Sequence, residues 1–109
     1  MKRTNRPKMF RQGDVMVLAV ERREGLDDVP REDGCIVLAH GEVTGHAHAI
    51  ASMDAVMLMD AKTLDRYLDV RAPVIIGHEE HSKIELPSGF YQVRQQRVYR
   101  PEGIRRVAD

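Results

Sequence analysis

The chain has 109 residues, 42% of them hydrophobic and 31% charged, and its 17 basic side chains balance 17 acidic ones. That length suits one domain with a single modest core. No apolar run approaches the roughly 20 residues of a membrane-spanning helix, and the start MKRTNRPKMFRQ leads into no apolar segment of signal-peptide length, so a cytoplasmic protein without a membrane partner is expected.

The hydrophobic pattern in chain order reads mostly as strand. GDVMVLAV (13–20) is a short run rich in β-branched residues, and ERREGLDDVPREDG (21–34) follows as a polar, Gly- and Pro-punctuated loop. CIVLAH (35–40) is a second strand, headed by the single cysteine, Cys35, which can form no internal disulfide and reads as a small buried hydrophobe. Gly41 and Gly45 mark a turn, after which HAHAIA alternates with period two, and DAVMLM (54–59) is a fourth strand. Residues 61–67 can form one helical turn, while Pro73 opposes a long helix. YLDV and PVIIGH read as two short strands or one bent one. KIEL (83–86), the turn Pro87-Ser88-Gly89 and the long strand FYQVRQQRVY complete the series. Short strands with closely spaced turns predict an all-β fold, a small single-domain barrel or sandwich with little helix. The expected division is a flexible basic arm over 1–11, a β-domain over 12–100 and a tail over 101–109.

All five histidines, His40, His46, His48, His78 and His81, fall between positions 40 and 81. His46 and His48 project from one strand face about 7 Å apart, a spacing from which both rings reach one ion. His78 and His81, in GHEEHS, follow the apolar run VII where the chain leaves its strand. If the two segments are neighbours, His46 and His48 with His78 or His81 form a site for zinc, nickel or iron, and Glu79 or Glu80 supplies the general base for any chemistry. The alternatives are solvated histidines on a wet strand face, or a metal-free pair acting as acid and base on a phosphate ester. GHEEHS is not the helical HExxH motif, because its histidines are three residues apart.

Charge is unevenly distributed. Residues 1–11 carry five basic side chains and no acid, residues 94–109 have a net charge of +3, and the stretch between is left at −8. This layout supports the rival expectation of a non-enzymatic accessory module whose basic ends bind nucleic acid or an acidic protein partner, unless those ends pair with the chain's own acids. Alternation on the C-terminal strand puts Tyr91, Val93, Gln95, Arg97 and Tyr99 on one side, with Phe90, Gln92, Arg94 and Gln96 on the other. One use of such a surface is stacking on bases. The other has Tyr91 and Val93 packed inward, with arginines paired to acids. Homo-oligomerisation through an exposed edge is compatible with both functions.

Two resemblances attach to these motifs. QGDV (12–15), GEVTGHAH (41–48), HEEH (78–81) and LPSGFYQVRQQ (86–96) together resemble a group of short bacterial and phage-associated proteins that carries no assigned activity. HxH followed by a PxG turn is similar to the cupin barrels, which implies a small β-barrel with a metal site. His46, His48, Pro87 and Gly89 match that pattern. Asp54 or nothing stands where a cupin has its glutamate, Gln92 stands where it has its last histidine, and His78 or His81 would have to substitute.

Overall fold

The computed structural model describes residues 8–40, 47–77 and 82–95. It is all-β, with ten strands and no helix among the described residues. In chain order they are β1 (Met9–Gln12), β2 (Val15–Ala19), β3 (Asp27–Asp28), β4 (Ile36–His40), β5 (Ala47–Ile50), β6 (Ala55–Met59), β7 (Arg66–Val70), β8 (Val74–Ile76), β9 (Ile84–Leu86) and β10 (Gly89–Gln95). Eight of these correspond to the apolar runs of the sequence. The two others, β1 (MFRQ) and β3 (DD), are short, and both are added by pairing to a neighbour rather than by a sustained hydrophobic pattern. Met9, Phe10 and Arg11 therefore belong to the sheet, where the sequence reading assigned them to an N-terminal arm.

One layer is a six-stranded sheet in the order β1-β2-β10-β7-β6-β3, with every pair antiparallel. The other contains the hairpins β4-β5 and β8-β9. Reciprocal backbone bonds join these hairpins: Ala49 N donates to Gly77 O (3.1 Å) and Gly77 N to Ala49 O (2.8 Å). The two layers share one core, in which Val15, Val17, Leu68 and Val93 of the large sheet meet Ile36, Leu38, Ile50, Ile76 and Leu86 of the hairpins. Leu38, Ile50, Leu68 and Leu86 are completely buried. Period-two alternation produces this arrangement, since each strand sends alternate residues inward.

Turn chemistry sets the register. Gly13 takes φ +60° between the paired residues Gln12 and Val15, so β1 and β2 are joined by the two residues Gly13-Asp14. Asp33 and Gly34 take φ +51° and +81° between Glu32 and Cys35, whose backbones exchange both hydrogen bonds. Positive φ at both central positions is the requirement of a type I′ hairpin, which Asp-Gly meets readily. The polar stretch 21–34 thus contains a tight hairpin, and Cys35 at its end is half-buried rather than buried. The single turn expected over 61–67 is shorter and begins one residue earlier: Leu64 N donates to Asp60 O at 2.7 Å, Asp60 Oδ1 accepts from the Lys62 and Thr63 backbones, Leu64 ends the turn at φ +67°, and Arg66 already belongs to β7.

The outer face of the large sheet is closed by the segment after β2. Phe90 and Tyr67 stack at 5.7 Å between centroids. Arg22 lies 5.1 Å above Phe90 and Arg23 5.0 Å above Tyr67. Both guanidiniums are anchored, Arg22 on Asp69 at 2.9 Å and Arg23 on Asp60 at 2.6 Å. Each arginine thus covers an aromatic ring with its plane while its donors engage a carboxylate. The hydrogen bond from Arg23, supplemented by the Lys62 and Thr63 N–H groups, lowers the Asp60 pKa to about 2.

Two outcomes test this packing. Leu68→Ala, at a completely buried position of a central strand, should cost about 2–5 kcal/mol in urea unfolding. In an NMR pH titration the Asp60 carboxyl should ionise near pH 2, and Arg23→Gln should move its midpoint up toward the ordinary value near 3.9. Because the folded pKa is depressed, the stabilisation from this carboxylate is present above about pH 4 and is lost as pH falls toward 2.

Candidate functional site

The inward alternation of β5 sends His48 and Ile50 into the interior, and His48 is only 3% exposed. A buried imidazole needs hydrogen-bond partners, and the β1-β2 turn supplies two residues that reach it. Gln12 Oε1 lies 2.8 Å from His48 Nδ1, and Asp14 Oδ1 lies 3.6 Å from His48 Nε2. Gly13, between them, makes the turn that points both side chains at one ring.

Gln12 is itself buried, at 3% exposure. Its Nε2 donates to two carbonyl oxygens, Ile76 O at 3.0 Å and Ser82 O at 2.8 Å. Only the amide nitrogen can face two carbonyls, so the amide orientation is fixed and Oε1 must accept. His48 Nδ1 therefore carries a hydrogen. In the neutral ring Nε2 then holds the lone pair, directed toward the Asp14 side. The Asp14 side chain is 43% exposed, whereas the imidazole beside it is buried. Gln95 Nε2 donates to the second Asp14 oxygen, Oδ2, at 3.0 Å, which holds the carboxylate in place from β10.

The chain segment carrying the second histidine pair begins and ends at this site. Gly77 is hydrogen-bonded to Ala49, the residue after His48, and Ser82 accepts from the same Gln12 amide that orients His48. The two strand ends are therefore neighbours, as the metal reading requires. His46, His78, His81, Glu79 and Glu80 lie outside the described residues. His40 pairs with Ala47 through the β4-β5 ladder, one register step from the His48 pair. Among the described residues no three His, Cys, Asp or Glu side chains form a group able to hold a metal ion.

Three members of the site, Gln12, Asp14 and Gln95, were not singled out by sequence reasoning. Gln12 and Asp14 belong to QGDV, where a polar pair flanking a turn glycine looks like turn chemistry alone. Gln95 carried a clearer signal, since strand alternation already put it on the side of Tyr91 and Val93. Gln92, the position matched to a cupin ligand, is on the opposite face with Phe90, and accepts from Arg94 at 3.3 Å. As for base stacking, Phe90 and Tyr91 are both buried: Phe90 lies beneath Arg22, and Tyr91 donates its hydroxyl to Pro87 O at 2.7 Å. Residues 1–7 and 96–109, which hold most of the basic ends, are outside the described residues.

Removing the Gln12 amide orphans the His48 Nδ1–H and frees two backbone carbonyls at once. Gln12→Leu should lose about 2–5 kcal/mol in denaturant unfolding. Nitrogen-15 NMR of the wild type should show neutral His48 as the Nδ1–H tautomer, and the variant should lose that preference.

The family model described as Domain of unknown function (DUF8820) matches residues 11–96. No curated protein and no solved structure gives a match. The matched span includes the QGD turn, His48, the segment between Gly77 and Ser82, and Gln95, and it covers well over half of the chain. The chain belongs to the DUF8820 family, a family defined without a function.

Proposed function

We propose that the end of the sandwich around His48 is a divalent transition-metal site. His48 Nε2 and an Asp14 oxygen are its first two donors in this reading, and His46 with His78 or His81 completes it. The observation that carries the reading is the tautomer lock. Metal-bound histidines usually donate their other ring N–H to a fixed acceptor, and Gln12 Oε1 holds His48 in that state. The spacing agrees: two donors each about 2.0–2.2 Å from a tetrahedral ion lie about 3.3–3.6 Å apart. Nε2 and Oδ1 are 3.6 Å apart. Imidazole and carboxylate donors together suit zinc, nickel or iron. A bound ion would supply Lewis acidity, and Glu79 or Glu80 is the general base in this reading.

Protein stripped with EDTA and reloaded with zinc, nickel or iron should bind one ion per chain by elemental analysis, with a rise in melting temperature. At a hundredfold excess over Kd the stabilisation is about 2.7 kcal/mol. Asp14→Asn and the double variant His78→Ala, His81→Ala should each weaken that response while remaining folded. The proposal fails if wild-type protein retains no metal and shows no thermal response to any of the three.

A further inference from the structure

The inner face of the large sheet carries a second polar group near the same end. Arg66 opens β7 and pairs with Val93 on one side and Met59 on the other. Residues paired across an antiparallel ladder share a face, and Val93 is buried in the core. Arg66 therefore springs from the inner face, in a cross-strand row with Phe10, Val17, Val93 and Met59. The next row toward the sheet end is Gln12, Val15 and Gln95. Arg66 and Gln95 are thus diagonal neighbours, with backbones about 7–8 Å apart.

Unlike Arg22, Arg23 and Arg31, Arg66 has no hydrogen-bonded carboxylate or carbonyl among the described residues. It is nonetheless half-buried, and burial alone lowers its pKa. Arginine stays protonated even so, which leaves a fixed cation with five donors held partly out of water. Asp27 continues the row beyond Met59 as an exposed residue of the edge strand, and Asp14, in the β1-β2 turn, is turned toward Gln95 and His48.

We propose that Arg66 is the anion-binding residue of a small-molecule site on this inner face, taking the carboxylate or phosphate oxyanion of a ligand whose remainder extends toward Gln95 and His48. A guanidinium fork matches two oxygens of such a group, and the bidentate pair replaces the water it loses. The ligand binds with or without a metal at His48, so the site stands apart from the metal reading.

EDTA-treated protein is titrated with inorganic phosphate and, separately, with succinate, against sodium chloride of equal ionic strength. Two readouts are taken: melting temperature and the Arg66 side-chain 15Nε resonance. Stabilisation beyond the chloride control, with a saturable shift of that resonance, is expected for at least one anion; which of the two binds identifies the oxyanion class. Arg66→Gln should weaken binding about tenfold or more, Arg66→Lys should weaken it less, and Arg71→Gln should bind as the wild type. No saturable resonance shift with either anion overturns the inference, as does unchanged affinity in Arg66→Gln. If Arg66→Gln does not fold, the wild-type resonance and Arg66→Lys decide the matter.

Discussion

The buried Gln12 amide is the constraint on which the site depends. One side chain at the end of β1 ties together three parts of the chain: the end of β8 through Ile76 O, the start of the β9 approach through Ser82 O, and β5 through His48. These bonds connect the edge of the large sheet to the hairpin layer at the place where no continuous ladder joins them. An amide satisfied on both ends in the interior contributes specificity as well as energy, because each alternative register leaves buried polar atoms without partners. It also decides which nitrogen of His48 carries the proton.

The two faces of the large sheet use charge differently. On the outer face, Arg22 and Arg23 cover Phe90 and Tyr67 and are neutralised by Asp69 and Asp60. These pairs are partly solvated, and their main effect is to seal an aromatic surface that would otherwise be exposed. On the inner face the polar groups gather at one end, with Gln12, Asp14, Gln95 and His48 linked through short contacts and Arg66 one row away. The core is therefore apolar at its centre and polar at one end. The same alternation that builds the core thus places these polar side chains at one end of it.

Legibility in the sequence followed the strength of local pattern. Eight strands were readable because their apolar residues repeat with period two or run continuously, and the all-β class followed from them. The strands β1 and β3 lack that pattern and exist through pairing, so they were missed. The Asp33-Gly34 hairpin was readable from its dipeptide yet was absorbed into a polar loop. In the site, His48 was found because histidines are few and clustered. Gln12 and Asp14 were not, since a glutamine at a strand end and an aspartate in a turn are ordinary there.

The sequence by itself determined the all-β class, which residues of each recognised strand share a face, and the concentration of histidines in two short segments. These are local properties, set by side-chain alternation and turn residues. Only the tertiary structure decided that the strand ends beside those segments are neighbours, through the Ala49 and Gly77 bonds. It also decided that a glutamine 36 positions from His48 in the chain fixes its tautomer, and that Arg66 faces inward without a carboxylate among the described residues. Such relations depend on which strands lie side by side, and strand order is a product of packing that no single segment encodes.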